Sequence, residues 1–169
     1  MVSVFLVFVL LPALFIAAAL WDLASYTIPN FLQLALIGCF VLFVIFSGMA
    51  PGAVGWHLLA GLLALTIGFA VFAFGYVGGG DAKLFACASL WFGLSDLPEY
   101  ALLSAIFGGV LTLTILSFRK IPLPKGFGSQ DWLKRLHDQR AGIPYGAALA
   151  AGAFAVLPHT DVFRLGIAA

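Results

Sequence analysis

Charge is what this sequence has least of. Lys, Arg, Asp and Glu together make up 9% of the chain, roughly a third of the share usual in soluble domains. No polar stretch is long enough for a separate aqueous domain, so any chemistry must sit at a membrane surface or within it. Cysteine is scarce too. Cys39 and Cys87 lie in separate apolar runs and form no C-x-x-C, which excludes a structural zinc site and a thioredoxin-type redox pair. They read as buried, inert thiols. His57 and His159 fall near span ends and are expected to be interfacial, and His137 falls in a basic segment. None has a Cys, His or carboxylate neighbour at ligand spacing, so no metal is expected. The glycine run at 78–80 continues Asp-Ala-Lys, not Gly-Lys-Ser/Thr, which excludes a phosphate-binding loop. No Ser–His–Asp or Cys–His set shares a face, and no cofactor is implied. The net charge of +1 gives no general attraction to acidic partners, and nucleic acid is not expected as one.

What the chain has in abundance is apolar surface. Hydrophobic residues reach 63% and the mean hydropathy is +1.13. This composition indicates an all-α, polytopic membrane protein. Hydropathy suggests about six transmembrane helices in one bundle, near 2–21, 31–49, 54–74, 82–95, 99–118 and 142–158, each close to the ~20 residues a crossing requires. A single domain over 1–169 is expected. Ala17-Ala18-Ala19 resembles a signal-cleavage site. The basic segment that should precede it is missing, so the first run is expected to stay as a span.

The few charges are unevenly placed. Arg119, Lys120, Lys125, Lys134, Arg135 and Arg140 fall together, marking a basic loop at about 119–141. Short basic loops remain on the cytoplasmic side. Counting back from there puts 75–82 and 22–30 inside, 50–53 and the region of Asp96 and Glu99 outside, and both termini outside. Arg164 alone among the basic residues then lies outside. Within the loop, Trp132, Leu133 and Leu136 share one helical face, and Ser129 or Asp131 can start that helix. It reads as an amphipathic segment in the headgroup region. Its expected role is to orient the chain.

On this count Asp22 and Asp81 reach the same end of the bundle. An ionisable group in a membrane segment costs about 2.5–3.5 kcal/mol at the helix centre and marks a functional site by default. Asp22 closes the apolar run from Val2 to Trp21 and is followed by Ile28-Pro29-Asn30, where Pro29 breaks helix and Asn30 can cap the next span. Asp81 follows Gly78-Gly79-Gly80. Without Cβ atoms this run permits a sharp break and close backbone approach, so Gly78 and Gly80 are expected to shape a substrate loop; a plain tight turn is the alternative. Two carboxylates held close titrate as a pair, one keeping a proton. Such a pair can activate water and protonate a leaving amine, the aspartic-protease route to amide hydrolysis. Judged from their own helices alone, Asp81 at a helix start suits the ionised base and Asp22 at a helix end suits the protonated acid. Lys83, about 200° around the helix from Asp81, is expected to snorkel to headgroups. Ile143-Pro144-Tyr145-Gly146 opens the last span, with Pro144 in its first turn and Tyr145 at the interface.

Three segments carry a family resemblance: Asp22 with Ile28-Pro29-Asn30, Gly78-Gly79-Gly80-Asp81 with Ala82-Lys83, and Ile143-Pro144-Tyr145-Gly146 with the small-residue run Ala147 to Gly152. In these the chain resembles the type IV prepilin peptidases, membrane aspartic proteases of the G-x-G-D class. The resemblance implies that Asp22 and Asp81 are the catalytic aspartates. It also implies that a pilin or pseudopilin precursor loses its leader at the cytoplasmic face of the bacterial inner membrane, just before the pilin's hydrophobic helix. Larger members carry a cytoplasmic insertion with paired cysteines and also methylate the new N-terminus. This chain has neither insertion nor paired cysteines, so methylation from S-adenosylmethionine is not expected. The short form is similar to the tight-adherence (Flp) pilus peptidases; archaeal preflagellin peptidases share the same aspartates. Two other classes remain as alternatives, a non-catalytic pilus or secretion assembly protein and a proton- or cation-coupled transporter. The transporter would show polar residues deeper in its spans and inverted repeats, and neither is evident.

Overall fold

The computed structural model describes residues 1–122 and 131–168, and these are helices joined by short connections. Helix α1 (Val2–Ser25) is the most apolar of the long helices. A wider π turn, Leu6–Leu10, interrupts it. Pro12 stands two residues past it and has no N–H for the carbonyl four residues back, and a local change of turn accommodates that loss. Helices α2 (Asn30–Ser47) and α3 (Pro51–Ala73) follow. Pro51 opens α3 at a position where a missing N–H costs nothing.

Helix α4 (Gly79–Phe118) is assigned as one element of 40 residues, about 60 Å if straight and twice the ~30 Å hydrocarbon core. It is not straight. Gly93 has φ 67° and ψ −177°, a region only glycine enters readily. The chain reverses there. Phe85 and Tyr100 stack with ring centroids 5.2 Å apart, and Phe92 meets the same Tyr100 ring at 4.6 Å. Residues 85 and 100 would stand about 22 Å apart on a continuous helix. The two arms, 79–92 and 94–118, therefore form a hairpin. Its corner is held by His57, whose Nδ1 lies 2.7 Å from the Leu90 carbonyl, an acceptor near the interrupted helix end. His57 is buried, not interfacial as expected, because it serves this corner.

Four described helices are long and apolar enough to cross a membrane, and five if a bent pair counts as one span. The all-α membrane class expected from composition holds; the count of six is not reached by length and composition, since the fourth and fifth expected spans share α4. The short helix α5 (Asp131–His137) starts at one of its two expected positions, Asp131. The other, Ser129, lies outside the described residues, as does Lys125. Helix α6 (Gly146–Val156) begins two residues past Pro144. Helix α7 (Asp161–Ala168) was not anticipated. It bends 58° from the segment before it, and Thr160 caps its start by accepting from the Phe163 N–H at 3.1 Å. Phe163 packs on Phe8 at 4.7 Å, so α7 covers the end of α1 remote from Asp22.

The core is built from Phe15, Leu36, Phe43, Leu84, Trp91 and Tyr100, all fully buried. Trp91 donates its Nε1–H to the Leu36 carbonyl at 3.2 Å. Ala60, Ala64 and Gly68 recur every fourth residue on the buried face of α3. A Cβ on Gly68 would stand 3.2 Å from the Ala82 carbonyl, so the small residues let α3 and α4 approach closely. Large apolar side chains point outward along every long helix, among them Leu34, Ile45, Phe69 and Leu113. An aqueous protein could not sustain that surface.

Candidate active site

Asp22 occupies the last turn of α1 and is buried. Its backbone carbonyl accepts from the Tyr26 N–H at 2.7 Å. Tyr26 takes the left-handed conformation, φ 57°, which ends the helix and turns the chain toward Ile28. The Asp22 side chain does not face solvent. Its Oδ2 accepts the backbone N–H of Gly146 at 2.7 Å, the first residue of α6. The orphan donors of that helix start thus find an acidic partner. A Cβ on Gly146 would stand 2.9 Å from both Cβ and Oδ2 of Asp22, so the contact requires glycine.

Asp81 lies in the first turn of α4, whose N-cap is Gly78. Its carboxylate turns back toward the Gly78 backbone N–H, in the direction a capping box takes. A Cβ on Gly78 would approach Asp81 Oδ2 to 2.9 Å. Gly80 faces Ile28 instead, at 3.4 Å from a hypothetical Cβ, and its carbonyl accepts from Gln33 Nε2 at 3.3 Å. Lys83 donates to Asn30 Oδ1 at 3.2 Å. Asn30 was expected to cap α2; it is that helix's first residue, its side chain turned to Lys83, and Pro29 is the N-cap.

These contacts tie the segment after Asp22 to the segment before Asp81. The two aspartates come to one end of the bundle, and Asp22 lies within electrostatic reach of Asp81. Own-helix dipoles had suggested Asp22 as the acid and Asp81 as the base. That reasoning left out α6, whose start faces Asp22 as the start of α4 faces Asp81, so the dipoles no longer separate the two roles.

Tyr145 and Gly146 are the site residues sequence reasoning undervalued. Tyr145 was expected in an interface belt. Its ring instead packs on Gly108, where a Cβ would lie 3.3 Å away, and its hydroxyl is 3.2 Å from Thr112 Oγ1. The signal was available in Ile143-Pro144-Tyr145-Gly146, but no physical demand on those residues could be read before α6 was seen to meet Asp22. Asp81 and Tyr145 both line a cleft of about 790 Å³ between α3, the two arms of α4 and α6.

Arg119 closes the same end. It is buried, and donates from Nε to the Leu136 carbonyl at 2.8 Å and from Nη2 to the Gly142 carbonyl at 2.9 Å. Burial pushes the Tyr26 phenol above its usual range against the opposing pull of the Arg119 guanidinium beside it. The basic segment and the two aspartates therefore share one end of the bundle.

Comparison with known proteins returned no curated protein and no solved structure that matches. A family model does match, that of the type IV leader peptidase family, over residues 9–113. The match includes Asp22 and the glycine run with Asp81, and stops short of Tyr145 and Gly146. Covering more than half of the chain, it shows that this membrane-type helical protein belongs to the type IV leader peptidase family.

Proposed function

We propose that the protein is an aspartic endopeptidase that removes the leader from prepilin-type precursors. Asp22 and Asp81 form its dyad. One carboxylate takes a proton from a water molecule, which attacks the scissile carbonyl; the other protonates the departing amine. Neither metal nor cofactor enters the step. The observation that carries this reading is the convergence of two acids, 59 positions apart, at one end of an otherwise apolar bundle, Asp22 held at a helix start by the Gly146 N–H and Asp81 in the first turn of α4 beside Gly78. Glycine at both contacts leaves room for the carboxylates themselves to reach the helix starts.

The reaction takes place at the cytoplasmic face of the inner membrane. Support comes from Arg119, which stands beside Tyr26 at the dyad end and holds α5, the helix carrying Lys134 and Arg135. Basic segments stay inside. The substrate arrives as a small pilin or pseudopilin precursor whose junction lies where leader meets apolar helix. With no paired cysteines, the chain cleaves without methylating.

The test is cleavage of a pilin precursor by the purified protein in detergent, with Asp22→Asn and Asp81→Asn beside it. Asn at 22 can still accept from Gly146 through Oδ1, so the fold contact survives while proton transfer does not. Each variant should lose about 10²–10⁴-fold in rate. Cleavage that persists in either variant removes the dyad, and absence of cleavage by the unsubstituted protein favours a non-catalytic assembly role.

A further inference from the structure

Peptide-bond cleavage needs the two carboxylates and a water; it does not need a cleft of about 790 Å³ running into the bundle from Asp81. Apart from Asp81, the polar side chains lining it are Ser104, Thr112 and Tyr145. Thr112 donates to the Gly108 carbonyl at 2.7 Å and meets Tyr145 at 3.2 Å. Ser104 is 7% exposed, and its hydroxyl lies against Gly152 and beside Tyr100. Such walls cannot satisfy the backbone of an extended peptide. An occupant at this depth must satisfy its own backbone groups, which for a single segment means a helix.

Size agrees with this. A helix about 10 Å across fills the volume with about two turns. The floor is also suited to one, because Gly108 and Gly109 remove side chains where a helix would lie. A Cβ on Gly109 would meet nothing within 4 Å, whereas one on Gly108 would press on Tyr145. The open position therefore borders free cleft and no protein neighbour.

Resting on the peptidase reading, we propose that this cleft receives the first two turns of the apolar helix that follows the scissile bond in the precursor, with Gly109 setting its width. Asp81 at the cleft wall places the residue just before that helix beside the dyad. The cleft thus selects substrates by helical, small-sectioned apolar character, and the leader itself is bound elsewhere.

Binding of a fluorescently labelled full precursor to the inactive Asp22→Asn protein in lipid nanodiscs tests this without cleavage. Gly109→Leu should raise Kd about tenfold or more, by analogy with the cost of overfilling a packed space. Gly55→Leu should leave Kd unchanged, since a Cβ there also meets nothing within 4 Å and the position lies outside the cleft. Equal binding by the Gly109→Leu and unsubstituted forms overturns the proposal and leaves the cleft to lipid. In the active protein, Gly109→Leu should raise KM for the full precursor and spare a short peptide that ends just past the scissile bond. Equal damage to both substrates also overturns it. Gly109-sensitive binding by a protein that cleaves neither substrate would sink the peptidase reading and keep the cleft.

Discussion

The N–H of Gly146 donates to Oδ2 of Asp22 at 2.7 Å across 124 positions of sequence. A single bond thus makes the start of α6 part of the environment of an acid at the end of α1. Gly146→Ala would put a methyl group 2.9 Å from Cβ and Oδ2 of Asp22, a distance real Cβ atoms do not tolerate. Either the carboxylate or α6 must move. Displacements near 1 Å at a reacting group can cost about 10²-fold in rate, so kcat/KM for precursor cleavage should fall by that order. Helix content by circular dichroism should stay the same. Unimpaired cleavage would mean that Asp22 has room to shift without consequence.

Gly78 and Gly80 were expected to act alike as loop-shaping residues, and the geometry separates them. A Cβ on Gly78 would press on Asp81 Oδ2 at 2.9 Å. One on Gly80 would reach Ile28 at 3.4 Å, close to ordinary contact. Gly78→Ala should therefore reduce cleavage at least about tenfold by displacing an acid whose placement the proposed chemistry depends on. Gly80→Ala should stay within about threefold, a shift of under 1 kcal/mol. Initial rates on one precursor decide it, and the reverse order would refute the assignment.

Much of this was legible without coordinates. Composition and hydropathy gave the helical membrane class, because lipid leaves a chain few alternatives. The clustered basic residues put Asp22 and Asp81 at one end, and Arg119 beside Tyr26 agrees with that. What could not be read was tertiary. Nothing local says that Gly93 takes φ 67° or that Phe85 will stack on Tyr100. The expected break lay near Asp96 and Glu99, where the charges are, yet helix continues through them and the chain reverses at the glycine. His57 looked like an interface residue because its partner, the Leu90 carbonyl, lies 33 positions away. Tyr145 and Gly146 looked ordinary for the same reason.

The reversal at Gly93 carries its own consequence. At φ 67° and ψ −177° a side chain costs about 1–3 kcal/mol in backbone strain. A Cβ there would also meet the His57 ring at 3.1 Å. Gly93→Ala should lower the detergent-solubilised melting temperature by several degrees, since about 1 kcal/mol shifts a domain of this size by roughly 2–4 °C or more. The smaller change His57→Phe removes the bond to Leu90 and keeps the ring. It should cost about 1 kcal/mol. Thermal unfolding followed by intrinsic fluorescence reads both, and a Gly93→Ala protein as stable as the parent would contradict the hairpin corner.

Arg119 has the opposite character, a charge retained in the interior for its geometry. Its Nε and Nη2 reach two carbonyls, on Leu136 and Gly142, and so join the end of α4 to α5 and to the approach of α6. Hydrogen bonds from a charged group are worth about 1.5–3 kcal/mol. Lysine is a poor substitute, because an ammonium does not present donors along two fixed directions of a planar fork. Arg119→Lys and Arg119→Gln should both speed amide hydrogen exchange in 132–146 while leaving α2 and α3 protected. Because Gly142 leads within four residues to the donor that holds Asp22, both variants should also lose cleavage activity. Exchange rates that stay at parental values in that segment would show that α5 is held by other contacts and that Arg119 acts only as a topological charge.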